Sequence, residues 1–142
     1  MPKNEFQAME EELYFNYSVT LRIFSESGVN FEEIESKLGL LPSRKFRKGD
    51  RRGPNSPQYK YDMWCLESGL DEEEKLESHL IALWAVLKPH KEYLLALKSS
   101  ARVDVFCGYR SSSHTAGVDV SYRALEMFKE LEIDFSLSII TT

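Results

Sequence analysis

Cysteine is scarce in this 142-residue chain, and the two present, Cys65 and Cys107, each sit inside an apolar run without a CxxC or CxxH neighbour. That excludes a disulfide scaffold and zinc-ligand spacing, and leads to the expectation of a reducing, cytoplasmic setting. Histidine is also sparse, with three in all: His79 and His90 flank Pro89 and do not share a helix face at metal spacing, so neither a metal nor any other cofactor is expected. No run approaches the roughly 20 apolar residues of a membrane span. The opening MPKNEFQAMEEEL is acidic and carries no apolar stretch of signal-peptide length, so neither membrane insertion nor export is expected. Positive charge is in deficit as well. With 18 Lys and Arg against 23 Asp and Glu, the net charge is −5, which argues against coating nucleic acid or anionic membrane through a general field. There is no internal repeat of solenoid length and no low-complexity tract.

What is present, 42% hydrophobic and 12% aromatic residues, suits one compact domain that buries roughly two-thirds of its unfolded surface. Residues 1–12 read as a tail or frayed helix and 13–142 as a single α+β domain. Three segments alternate apolar and polar residues, the mark of strands buried on one face. Phe15, Tyr17, Val19, Leu21 and Ile23 oppose Asn16, Ser18, Thr20 and Arg22. Ala101, Val103, Val105, Cys107 and Tyr109 oppose Arg102 and Asp104, and Ile133, Phe135, Leu137 and Ile139 oppose Asp134, Ser136 and Ser138. Continuous apolar runs of a parallel sheet covered on both sides are missing.

Helix punctuation stands between these segments. Asn30 with Glu33 forms a capping-box variant before Phe31, Ile34 and Leu38, and Gly39 is placed to end that helix. A second helix is expected from Asp71, with Leu76, Leu80, Leu83, Trp84 and Leu87 as its stripe and Pro89 as its stop or bend. A short helix with Tyr93, Leu94 and Leu97 inward follows, and a last one from about Ser121 to Leu131 buries Leu125, Phe128 and Leu131. The Gly-Pro-rich stretch from Gly53 to Pro57 and the run from Tyr59 to Leu66 suggest a hairpin with a loose tip. Neither face of its second strand is polar. The order predicts a two-layer, ferredoxin-like antiparallel or mixed sheet with helices on one face and a polar second face.

Several of these segments resemble one family. LGLLPSRKFRKGDRR (Leu38 to Arg52), the tryptophan of MWCLES, the helix ESHLIALWAVLKPHKEYLLAL and the ending GVDVSYRALEMFKELEIDFSLSII are similar to the domain of unknown function 4279 family, over nearly the whole chain. The resemblance implies a small single-domain protein of a mostly bacterial family without an established activity, and fold-level likeness carries no chemistry by itself.

One local feature looks like a site. The nine residues RKFRKGDRR, Arg44 to Arg52, hold six of the eighteen Lys and Arg. Arg44, Lys45, Arg47, Lys48, Arg51 and Arg52 around a Gly49-Asp50 bend can present several charge-assisted donors to a phosphate or carboxylate. The bland alternatives are a charged edge strand that blocks sheet-to-sheet pairing and pairing with the chain's own acidic helices. The Gly49 turn lacks the Gly-Lys-Ser/Thr order of a phosphate loop. Tyr59, Tyr61 and Trp64 follow closely and could stack bases, yet such aromatics are more often core.

Ser111 to His114 (SSSH), with Asp104 and Asp119 near in sequence, invites a triad but lacks the strand, elbow and helix of a nucleophilic serine, and is read as a flexible turn. Glu32, Glu33, Glu35, Asp71 to Glu74 and Glu77 are read as helix-dipole partners and solvated faces rather than metal ligands.

The expected function is a small non-enzymatic cytoplasmic binding module. Arg44, Arg47, Lys48, Arg51 and Arg52 contact an anionic small molecule or protein, and Trp64 supports them. The alternative is an immunity-type inhibitor whose acidic helices cover a partner's basic site, and a hydrolase ranks last. Nucleic acid and membrane are not expected partners. The polar sheet face is open to solvent by default, and a homodimer through that face or through an edge strand is the alternative.

Overall fold

The computed structural model of the chain describes residues 12–142. The tail assigned to the opening residues therefore lies outside the described residues, except for Glu12. The central strand β1, Phe15–Ser25, pairs antiparallel with β3, Asp62–Glu67, on one side and with β4, Arg102–Ser111, on the other. The edges are β2, Arg44–Phe46, antiparallel to β3, and β5, Leu137–Thr141, parallel to β4. The result is an α+β fold around an open mixed sheet in the order β2-β3-β1-β4-β5.

Period-two alternation does what it should in β1 and β4. Register sets Ile23 against Trp64 and Val103, and Val19 against Cys107, so that these side chains enter one core with Leu21 and Val105. The helices supply the rest of that core. Helix α1, Phe31–Leu38, buries Phe31, Ile34 and Leu38. Helix α2, Leu76–Leu87, adds Leu76, Leu80, Leu83, Trp84 and Leu87. A 3₁₀ turn over Lys88–His90, where Pro89 sits, leads into α3, Lys91–Leu97. A second 3₁₀ turn, Tyr122–Leu125, precedes α4, Glu126–Glu130, which brings in Met127 and Phe128. No helix among the described residues is long and apolar enough to cross a membrane.

Helix α1 is delimited as its sequence requires. Asn30 Oδ1 accepts from the Glu33 amide at 3.1 Å, and Gly39 takes the left-handed conformation, φ 66°, while its amide donates to Glu35. Replacing Asn30 by Ala is expected to destabilise the protein by about 1 kcal/mol, the usual loss for an N-cap. A urea-unfolding midpoint equal to wild type would show that this amide finds another acceptor.

Three expectations are corrected. The second helix begins at Leu76, not Asp71: Asp71 Oδ1 accepts from the Glu73 amide, and the Glu72 carbonyl accepts from Tyr17 N at 2.7 Å, so the acidic run is a bonded turn. The third alternating segment becomes a strand only from Leu137. Glu132 adopts φ 53° and the Ile133 amide donates to the Phe128 carbonyl, which ties the residues after α4 to that helix. The second sheet face is polar only in part. Asn16, Ser18, Thr20, Arg22 and Asp104 lie there, but Phe24, Met63 and Cys65 form a small buried cluster on it with Phe46 and Tyr61, because β3 is apolar on both sides. Arg22 grips Asp104 through two bonds of 2.7 Å each, Nε to Oδ1 and Nη2 to Oδ2, with its guanidinium 5.3 Å from the Phe106 ring.

Candidate functional site

The basic segment is built on β2. Its three residues pair with Met63, Trp64 and Cys65, after which the chain must turn. Gly49 makes the turn at φ 94°, a conformation only glycine adopts freely. Asp50 Oδ2 accepts from Arg47 N at 2.9 Å, Gly49 N donates to the Tyr59 carbonyl, and a single bridge joins Arg51 to Gln58. The tip of the hairpin is thus held by named bonds.

The six cations do not share one role. Arg47 turns inward: Nη1 donates to Asp62 Oδ2 and to the Val29 carbonyl, each at 2.8 Å, and its guanidinium lies 3.9 Å from the Phe31 ring centre. Asp62, only 6% exposed, also accepts from Val29 N and Lys48 N. Burial pushes the Asp62 carboxyl upward, but the Lys48 and Val29 amides and Arg47 outweigh it and hold it below the usual carboxylate range. Lys45 pairs with Glu35 at 3.1 Å, which realises one of the bland readings for one cation. Arg51 Nη1 donates to the Ser56 carbonyl. Trp64 is fully enclosed in the main core and pairs with Lys45 of β2 across the strands.

Arg44, Arg51 and Arg52 come together. With Lys45, Asp50 and the stacked rings of Phe46 and Tyr59, whose centres are 3.6 Å apart, they line an open hollow of about 440 Å³. Arg44 lies over Phe46 at 5.7 Å. It also opposes the burial that raises the Cys65 thiol pKa. Among the described residues Asp50 is the one acid lining the hollow, and its Oδ2 is engaged by the Arg47 amide. Lys48 lies on the exposed tip, where its amide, not its ammonium, is engaged.

The serine-rich turn forms no triad. Ser111 and Tyr109 both donate to the Glu12 carboxylate, Ser112 Oγ accepts from the Leu13 and Tyr14 amides, and His114 is exposed. Asp104 is taken by Arg22. These hydroxyls hold the lead-in to β1, so the segment is a bonded corner, not a loose turn. Both cysteines are free and buried, with the Cys107 thiol pushed up to about 12 by burial.

Another hollow escapes sequence reasoning. Where β3 ends, Ser68, His79, Asn16, Glu67, Glu72 and Arg110 line a space of about 320 Å³, and Ser68 Oγ is 2.6 Å from His79 Nδ1. The available signal is slight: one histidine on the apolar stripe of α2, and a Ser-Gly pair where β3 stops.

The family model described as Domain of unknown function (DUF4279) matches residues 14–142. No curated protein and no solved structure matches the chain.

Proposed function

The chain belongs to the DUF4279 family, and because that description names no activity, we propose from its own residues that it is a binding module holding an anionic partner on the basic hairpin. The observation that carries this is the hollow in which Arg44, Arg51 and Arg52 converge beside Phe46 and Tyr59. Arginines present planar forks of donors suited to phosphate or carboxylate, and the stacked rings give the hollow an apolar wall. Arg47 and Asp62 position the hairpin and do not meet the ligand. In a chain of net charge −5 such binding must be local. The same reading treats the antiparallel run β2-β3-β1-β4 as ferredoxin-like with β5 as an added parallel edge, a placement without chemical content of its own.

Immobilised heparin serves as the polyanion probe. Wild type is expected to be retained at low salt and to elute as salt rises, whereas Arg51→Glu with Arg52→Glu flows through with its circular dichroism unchanged. Flow-through of the wild type, or identical elution of both proteins, would overturn the reading. Arg47→Glu is unsuitable for this test, since it would set a carboxylate against Asp62.

A further inference from the structure

β3 ends at Glu67, and the chain before α2 bulges away from β1 between two bonds, Ser68 N to the Val19 carbonyl and Tyr17 N to the Glu72 carbonyl. Beyond that point β1 continues beside β4 without β3, and the hollow of about 320 Å³ opens there. It is within the size range of small-molecule sites. His79, 2% exposed, projects from α2 into its lining, and among the described residues its Nε2 is buried without a hydrogen bond of ordinary geometry. Burial lowers the pKa of the ring, opposed by the nearby Glu74 and Asp71 backbone and by the charges of those two residues. The ring is therefore neutral at neutral pH, with one nitrogen carrying a proton and the other free to accept one. With the proton on Nε2, Nδ1 accepts from the Ser68 hydroxyl.

Ser68 is only partly buried, so its oxygen can be reached from the hollow. Gly69 follows at φ 82°, and among the described residues its amide finds no acceptor. The amide after a nucleophilic serine is a usual oxyanion donor. We propose that Ser68 and His79 form a nucleophile and general-base pair, a second site on this chain that cleaves small carboxylic esters. This departs from the sequence expectation of a protein without enzymatic activity, and is independent of the anion hollow.

The chemistry balances with water as the co-reactant. Ser68 Oγ bonds to the ester carbonyl carbon while its proton passes to His79 Nδ1, and the carbonyl oxygen becomes an oxyanion facing Gly69 N–H. The carbon–oxygen bond to the alcohol then breaks, and the alkoxide takes the proton from Nδ1. Water attacks the acyl-serine, giving its proton to Nδ1. Ser68 leaves with that proton, releasing the carboxylic acid. Asp71 and Glu74 favour the imidazolium formed at each attack, the part a carboxylate plays in a triad.

A fluorophosphonate probe tests this on the full chain. Ser68 Oγ displaces fluoride from phosphorus and passes its proton to His79, so intact-mass analysis is expected to show one adduct per chain, mapped to Ser68 and absent from Ser68→Ala. Labelling should speed up as pH rises from 5 to 7 and then level off, because the folded pKa of His79 lies below its ordinary value. His79→Gln should slow it by about 100-fold. Hydrolysis of p-nitrophenyl acetate should fall to background in Ser68→Ala. No adduct on folded wild type, or an adduct that persists in Ser68→Ala, would overturn the proposal.

Discussion

Asp62→Ala is expected to destabilise the protein by about 3–5 kcal/mol, the range for removing one partner of a buried charged network. Asp62 is a single carboxylate serving three donors: Val29 N at 3.0 Å, Lys48 N at 2.8 Å and Arg47 Nη1 at 2.8 Å. Removing it leaves two backbone amides without their acceptor, while Arg47 Nη1 keeps the Val29 carbonyl, and each unsatisfied buried donor costs roughly 1–3 kcal/mol. Arg47 is partly exposed and recovers water, so the amides dominate the loss. The charge dependence has a definite sign. Because the folded carboxyl pKa is depressed, the ionic part of the stabilisation is fully present above the unfolded value of about 4 and is lost as pH falls below it. Urea unfolding should therefore show the gap between wild type and Asp62→Ala largest near pH 7 and narrower at pH 3. A gap independent of pH would assign the whole effect to packing. Heparin retention should also weaken in the variant, since the hairpin loses the anchor that seats the turn between Arg44 and Arg51.

Local patterns carried much of the architecture into view. The alternation through Val19, Leu21 and Ile23, and through Val103, Val105 and Cys107, marks one face of β1 and β4 because those strands are covered on one side along most of their length. Asn30 and Gly39 bracket α1 because capping is decided within a few residues. Patterns failed where a distant partner decides. The acidic run Asp71 to Glu74 has helix-start composition, yet Tyr17, far away in sequence, takes the Glu72 carbonyl and holds it as a turn. Ile133 and Phe135 alternate like a strand, but contact with α4 keeps that stretch out of the sheet. At the candidate site, the density of charge was legible and its division was not: whether Arg47 faces solvent or Asp62 depends on where β3 begins. The Ser68 and His79 pair is eleven residues apart across a strand end and a helix start, and no spacing rule brings the two together.

Trp64 separates core from site most sharply. Its ring is fully enclosed, lies across from Ile23 in the β1 and β3 pairing, and belongs to the same cluster as the helix side chains. Trp64→Ala is expected to cost about 3–5 kcal/mol through lost burial and the cavity left behind, a fall in melting temperature on the order of 10 °C for a domain of this size. Trp64→Phe should cost less than about 2 kcal/mol, because among the described residues the buried indole Nε1 has no hydrogen-bond partner and removing it relieves an unsatisfied donor. Calorimetry on both variants checks the order. The same pair decides how Trp64 relates to the basic hairpin. If it acts only by seating β3, and through β3 the strand bearing Arg44, then folded Trp64→Phe elutes from heparin with wild type. Earlier elution of folded Trp64→Phe would mean that the indole shapes the hollow through Lys45, its partner on β2.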